Sequence, residues 1–420
     1  MKRFFYNWIL EITKIISKLG LILNLPFLTS LAIILCLRKI KSKIKNKKKT
    51  ILILEKSHGI NDIKQIVKYQ LDKNLKFVLL SRIHLNIIYQ FFKKKNNQLL
   101  YCHYINKVFY YIKKFYNINL IISFNVRYDT ERVLQKLDKD LNIKYLVCQK
   151  ECLFNANVLN NIKNSLIDGF TKHPFFKINK FYGDHITVYN KKFKNMITSI
   201  NYVNEKNVSV VGMNRADEYF NTETQRKNHI LFFLIRPKTG LKWDEKNFSW
   251  QKLGENTLKT VLNFAAQNPD LKFIFKIKLI NDHESVSQQK MIKEKNLDNC
   301  FVVYGGNPVK LILESKFIIA FNSTAIFEGL AAKKKVVIPY FKNDYNKELK
   351  EFTIDTSNSN NILHAENEIH LEELLNDLCK DDEKLKYIDS ERDNELLEEN
   401  IGNKDGNSSK RLTKVIESLV

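Results

Sequence analysis

The residues best placed to do chemistry lie in Phe317 to Phe341, FIIAFNSTAIFEGLAAKKKVVIPYF. A buried apolar run ends at Asn322-Ser323-Thr324, a helical pattern begins, and Glu328 falls four residues after Thr324, one turn inside it. Backbone N–H groups at a helix start, helped by the helix dipole, form an anion site suited to a diphosphate. A carboxylate one turn further in can accept hydrogen bonds from ribose hydroxyls. Simple capping by Ser or Thr is the competing reading, but a capping box sets its acid three residues after the cap, not four. Arg236 and Lys238, in IRPKTG after another apolar run, add cations where phosphates would lie. An Arg there can bind phosphate oxygens bidentately.

Two further groups follow apolar runs nearer the N-terminus. Ser57-His58-Gly59 follows the first, and Lys150-Glu151 follows a later one. Transfer to a hydroxyl acceptor needs a base, and His58 or Glu151 has the chemistry for it. Asp138-Lys139-Asp140 spells a D-x-D metal pattern but sits at the end of a helical stretch, so it reads as a solvated charge pair and no metal is implied. The six cysteines and nine histidines are scattered without metal-ligand spacing. No HExxH, Walker A or GxSxG pattern occurs.

The elements that must position these residues alternate. Strands are expected at Thr50 to Leu54, Lys76 to Leu80, Asn119 to Ser123 and Ile143 to Cys148. Helices are expected between them at Asn61 to Gln70, His84 to Lys94 and Thr130 to Lys139. A second series runs from Ile230 to Tyr340, with strands at Ile230 to Ile235, Lys272 to Phe275, Phe301 to Val303, Phe317 to Phe321 and Val336 to Tyr340. Runs of Ile, Leu and Val without polar alternation fit parallel sheets covered on both faces. The expected fold is α/β, with two Rossmann-like doubly wound domains and ligands at the C-terminal strand ends. The expected boundaries are 1–49 for an N-terminal segment, 50–225 for an acceptor domain, 226–380 for a donor domain, and 381–420 for C-terminal helices that pack back.

The run strand-NST-x3-EGLAA-x3-VVIP resembles the donor-binding motif of GT-B fold glycosyltransferases, especially bacterial surface-carbohydrate and capsule enzymes with CDP-glycerol glycerophosphotransferase-like relatives. Further segments agree in order: KYLVCQKE at 144–151, GDHITVYN at 183–190, VVGMNRADEYF at 210–220 and GNKDGNSS at 402–409. The resemblance covers roughly residues 50–420. It implies a metal-independent transferase whose co-substrate is a nucleotide-activated sugar, with no resident cofactor. It places the nucleobase near Gly306 in Gly305-Gly306-Asn307-Pro308, phosphates near Lys276 and Lys278, and Lys150 among the residues that bind substrate or donor. Departures occur at Asn214, where the family has Pro, and in FIFKIK at 273–278, where many members have KPHP. Lys278 thus replaces a His; a lysine neutralises phosphate as a point charge but is a poor proton donor at neutral pH.

The N-terminus has a different character. Leu19 to Leu37 carries no charge, and nineteen helical residues at about 1.5 Å each come close to the roughly 30 Å of a bilayer core. Asn24, Pro26, Thr29 and Ser30 weaken it, so a crossing and a kinked or interfacial helix both stay open. Arg38 to Lys49 is strongly basic, which places it and the following chain on the cytoplasmic side, against an anionic leaflet. The chain carries 69 Lys+Arg against 45 Asp+Glu, net +24. Residues 1–50 hold twelve of those cations and one acid. Such charge also invites a nucleic-acid partner, but no RRM, OB, KH, zinc-finger or HTH signature accompanies it. The favoured reading is a membrane-associated transferase acting on a surface polysaccharide or lipid-linked acceptor. A sugar-nucleotide epimerase of the same fold is the nearer alternative, and a basic nucleic-acid-binding protein the farther one.

Overall fold

The structure is a computed structural model that describes residues 2–39, 49–55, 66, 75–124, 129–149, 156–168, 179–223, 229–235, 250–278, 285–341 and 353–420. The helix expected at Asn61 to Gln70 lies outside them, apart from Ile66. The chain divides into two compact units: residues 1–150, 160–215 and 407–420 form the first, and 151–159 with 216–406 the second. The N-terminal helices and the last helix therefore belong to the first unit, while 381–406 belongs to the second.

The first unit opens with α1 (Lys2–Ile22) and α2 (Pro26–Cys36), followed by β1 (Arg38–Lys39), β2 (Lys49–Glu55) and β3 (Leu75–Ser81). Next come α3 (Arg82–Lys94), α4 (Gln98–Phe115), β4 (Ile118–Ser123), α5 (Asp129–Arg132), β5 (Lys144–Cys148) and α6 (Ala156–Ile167). The series ends with β6 (His185–Val188), α7 (Lys191–Ser199) and β7 (Val208–Val210). The strands form one sheet in the order β1-β3-β2-β4-β5-β6-β7. All its pairs are parallel except β1 with β3. The order reverses between β2 and β4, which makes this a doubly wound sheet. Ile51, Ile53, Phe77, Leu120, Ile122 and Leu146 line its core. Those are the continuous apolar runs of the sequence, buried because helices cover both faces.

Three local differences from the sequence reading have physical causes. The helix expected at Thr130 to Lys139 is one turn, α5, then a 3-10 turn at Val133–Lys136 that Leu137 ends in extended conformation. Helix α4 was not expected at all. It begins with Asn97 accepting from Leu100 N–H (2.9 Å) and buries Tyr101, Tyr104, Ile105, Val108, Phe109 and Ile112 at helical spacing. The uncharged run Leu19 to Leu37 is not one helix. Asn24 takes a left-handed backbone (φ 53), Pro26 opens a new helix, and α2 folds back on α1. Among the described residues no helix is long and apolar enough to cross a membrane.

A buried histidine ties α1 to α3. His84 is fully buried, its Nδ1 lies 2.9 Å from Ser17 Oγ, and desolvation pulls its pKa down to about 4. An unfolded chain protonates this ring near pH 6.5, so below that pH the unfolded state gains protons that the folded state refuses. Stability should be unaffected by His84 above pH 6.5 and fall by roughly 2–3 kcal/mol as pH drops toward 4. Urea unfolding at pH 7 and 4.5 checks this: the loss should be smaller in His84→Gln than in wild type. Equal losses would show that other groups carry the acid sensitivity.

The second unit begins with α8 (Asp217–Phe220), β8 (His229–Phe233), α9 (Trp250–Gln267), β9 (Lys272–Ile277) and α10 (Val286–Lys295). It continues with β10 (Cys300–Tyr304), α11 (Val309–Glu314), β11 (Ile318–Ile319), α12 (Ala325–Ala331), β12 (Val336–Pro339) and β13 (Ile362–Ala365). Helices α13 (Glu368–Lys380) and α14 (Glu391–Asn400) complete it, and α15 (Ser408–Leu419) returns to the first unit. The sheet order is β10-β9-β8-β11-β12-β13, parallel throughout. In strand sequence that is 3-2-1-4-5-6, the dinucleotide-binding order, with its switch point between β8 and β11.

Candidate functional site

A switch point leaves a crevice where neighbouring crossover helices depart to opposite faces, at the C-terminal ends of the strands. In the second unit the turn leaving β11 at that point is Asn322-Ser323-Thr324. Asn322 adopts φ 41, a left-handed conformation that Asn tolerates better than most residues. Ser323 Oγ accepts from the Ala325 N–H (3.3 Å), so this hydroxyl caps the start of α12. Thr324 makes no side-chain cap. All three residues are half-buried.

Helix α12 is seven residues long and buried throughout. Its EGLAA composition follows from packing: a Cβ on Gly329 would meet Ile318 Cδ1 and Val336 Cγ2, each at 2.9 Å. Glycine lets the helix lie directly on β11 and β12, holding the NST turn against the sheet edge. The lysines that follow are structural, not phosphate ligands. Lys334 Nζ donates to Ser315 O (2.7 Å) and Lys335 Nζ to Asn360 O (2.8 Å).

Glu328 is buried at 3% exposure and accepts from the Tyr219 hydroxyl at 2.7 Å. Tyr219 lies in α8, inside the segment VVGMNRADEYF, so two motifs separate in sequence meet here. Beside the ribose role that the sequence suggests for this carboxylate stands a protein partner, signalled in the sequence by a tyrosine in the other motif.

Register brings the remaining candidates to the same edge. Lys276 pairs with Phe233 of β8 and Val303 of β10, and Gly305 N–H donates to Ile277 O (2.9 Å), closing the end of β10 onto β9. Gly305 and Gly306 have φ 55 and 77, and no atom of the described residues, apart from those of its two chain neighbours, stands within 4 Å of where a Gly306 side chain would begin. Backbone can therefore approach a flat ligand closely there. Lys278 is exposed. Lys276 is buried, donates to Ile277 O (3.0 Å), and has its pKa lowered to about 8 by desolvation. Thus Lys276, Lys278, Gly306, Asn322, Ser323 and Thr324 follow or end neighbouring parallel strands, with Glu328 one turn behind. Arg236, Lys238, Lys150, Glu151 and His58 lie outside the described residues.

In the first unit, the C-terminal strand ends surround a small hollow lined by Phe124, Cys148, Gln149, Thr187, Tyr189 and Gly212 among others. Gln149 closes part of it: its N–H donates to Thr187 O (2.9 Å) and its Oε1 accepts from Tyr189 N–H (2.8 Å). Asp138 precedes and Asp140 lies within a 3-10 turn (Lys139–Leu141) before β5, at the opposite, N-terminal edge of that sheet.

No protein-family model matches the chain, and no curated protein matches it. Solved structures do. The wall teichoic acid polymerase TagF matches over 97% of both chains at 13% identity, with a TM-score of 0.54. The UDP-GlcNAc 2-epimerase of Methanocaldococcus jannaschii matches over 88% of this chain and 100% of its own, at 14% identity and a TM-score of 0.51. The UDP-GlcNAc 2-epimerase of Neisseria meningitidis, bound to UDP-GlcNAc, matches over the same shares at 12% identity and a TM-score of 0.50. These likenesses, spanning both parallel-sheet units, give the chain the GT-B fold.

Proposed function

We propose that the second unit binds a nucleotide-activated donor across the C-terminal ends of β9, β10 and β11, and that the protein transfers its sugar or alditol phosphate to an acceptor. The carrying observation is the switch point: the order 3-2-1-4-5-6 sets Asn322-Ser323-Thr324 beside the end of β8. In this reading the backbone of the NST turn and the Lys276 and Lys278 cations neutralise the diphosphate that departs. The Gly305-Gly306 turn lies along the base. Glu328 accepts from ribose hydroxyls while sharing its carboxylate with Tyr219. Arg236, Lys238 and Lys150 extend the cationic edge, and Glu151 or His58 serves as base for an acceptor hydroxyl.

The acceptor is a surface polysaccharide or a lipid-linked precursor, as in capsule assembly, and the site of action is the cytoplasmic face of a membrane with anionic lipid. Full-length likeness to TagF supports transfer. Likeness to two UDP-GlcNAc 2-epimerases supports the second reading, conversion of the donor without an acceptor.

Calorimetric titration of the purified protein with UDP-, GDP-, CDP- and CMP-activated donors tests the reading. One donor class should bind at pH 7, and its affinity should fall as pH rises past 8 and Lys276 loses its charge. Lys276→Met should bind it about ten- to a hundredfold more weakly at pH 7, the span of one charged hydrogen bond at about 1.5–3 kcal/mol. Lys276→Arg should remove the pH dependence. Failure of every donor to bind, or a Lys276→Met protein with wild-type affinity, would overturn the site. Product isomerisation with no acceptor present would favour the epimerase reading.

A further inference from the structure

The N-terminal helices bury several hydroxyls while leaving a row of large apolar side chains exposed. The helices α1 and α2 bury Thr13, Ser17 and Gly20 from the first and Thr29, Ser30 and Ala32 from the second, beside the aliphatic Leu21 and Ile33. Their hydroxyls are matched within the unit. Thr13 Oγ1 lies 2.9 Å from Cys36 Sγ, Ser17 Oγ 2.9 Å from His84 Nδ1, and Thr29 Oγ1 2.6 Å from Tyr104 OH. Ser30 donates to Val108 O (3.0 Å). A Cβ at Gly20 would stand 2.6 Å from Thr29 Oγ1, so the glycine sets how closely the two helices approach.

The opposite side of α1 carries Trp8, Ile12, Ile15, Leu19 and Ile22, at alternating spacings of four and three, and Leu23 follows in the turn. These six side chains are between 36% and 69% exposed. A helix on a water-soluble domain turns its apolar stripe inward. Small and hydroxyl-bearing residues at the helix contact, with bulky aliphatic ones outside, are the pattern of helices that pack in lipid. Yet α1 also holds Glu11, Lys14 and Lys18, and the chain turns back at Asn24, so the stripe suits a surface helix and not a crossing one.

Charge names the partner. Lys18 and Lys14, the latter ion-paired with Glu11 at 2.6 Å, border the stripe on one side, Arg38 stands just beyond α2, and seven more lysines follow between residues 39 and 49. An apolar stripe edged by cations complements a bilayer leaflet with anionic headgroups.

We propose that α1 lies flat in the headgroup–acyl boundary of an anionic leaflet, with Ile12, Ile15, Leu19, Ile22 and Leu23 inserted and Trp8 at the interface. This deepens the membrane attachment proposed above, because it assigns binding to insertion of this face and not to the basic stretch alone. It is independent of the donor site.

Flotation of the full chain with phosphatidylcholine vesicles containing about a third phosphatidylglycerol, at low and at 1 M NaCl, tests it. Wild type should float, and part of the binding should survive high salt. Ile15→Asn with Leu19→Asn should lower partitioning at least tenfold at both salts. Urea unfolding like that of wild type would show the variant intact, as expected for exposed positions. Lys14→Gln with Lys18→Gln should raise salt sensitivity without abolishing binding. A double Asn variant that floats like wild type would overturn the inserted face while leaving attachment standing. Wild type that never floats would overturn both. If wild type sediments as a dimer without lipid and the double Asn variant as a monomer, a second copy of the chain covers this face, and the proposal fails.

Discussion

Glu328→Ala is expected to bind its nucleotide-activated donor about a hundredfold more weakly than wild type. Two hydrogen bonds from ribose hydroxyls to a carboxylate, at about 1.5 kcal/mol each, give that factor. Alanine also takes from Tyr219 the acceptor it meets at 2.7 Å in a buried setting, which costs about 1–3 kcal/mol of stability. The two effects separate in Tyr219→Phe. That change removes the same hydrogen bond but leaves the carboxylate, so it should lower stability while keeping donor affinity within a few-fold. Donor titration and urea unfolding of both variants decide the matter. If the two lose affinity equally, Glu328 acts by holding α8 to α12, and the ribose role is wrong.

Gly406→Val should be the most destabilising of the single changes considered. Gly406 has φ 63, and a Cβ there would sit 2.5 Å from Asn221 Oδ1 and 2.6 Å from its Nδ2. Asn221 cannot swing away without loss, because its Nδ2 donates to Gly406 O at 2.8 Å. A left-handed conformation for a side-chain-bearing residue costs roughly 1–2 kcal/mol, more for a β-branched one, and the clash adds to it. A total of about 3–4 kcal/mol is expected in urea unfolding. Asn221→Gly in the Gly406→Ala background should recover the steric part but not the backbone part, a non-additive pair. An undiminished unfolding midpoint in Gly406→Val would mean that the 402–409 segment does not hold the second unit together.

These predictions also mark what could be read from sequence. Parallel strands covered on both faces need continuous β-branched and aliphatic runs, so TILIL, NLIIS and VVIP were visible as strands without any partner being known. Helix α4 was harder to see, because tyrosines stand both on its buried face, at Tyr101 and Tyr104, and on its exposed face, at Tyr110, which blurs the polar row of His103, Lys107 and Lys114. The break between α1 and α2 was signalled by Asn24 and Pro26, which kept a kinked helix open beside a crossing one. At the site, the NST turn was legible because its chemistry is local. The Glu328–Tyr219 bond was not, since it joins residues 109 apart. Nor was the burial of Lys276, Lys334 and Lys335, because a lysine reads as solvated unless its carbonyl partners are known.

The return of α15 to the first unit has a consequence for how the chain is made. Leu412 and Ile416 sit in the same core as Ile51, Ile53, Leu120 and Leu146. Arg411 Nε donates to Val211 O (3.0 Å) and Ser409 Oγ to Asn214 O (3.2 Å), fastening α15 to residues almost two hundred positions earlier. All of residues 216–406 leave the ribosome before α15 does. The second unit can therefore finish folding while the first still waits with part of its sheet uncovered, which reverses the usual N-terminal-first order of synthesis. A released chain truncated after residue 406 would carry the whole second unit joined to a first unit that lacks Leu412 and Ile416 from its core.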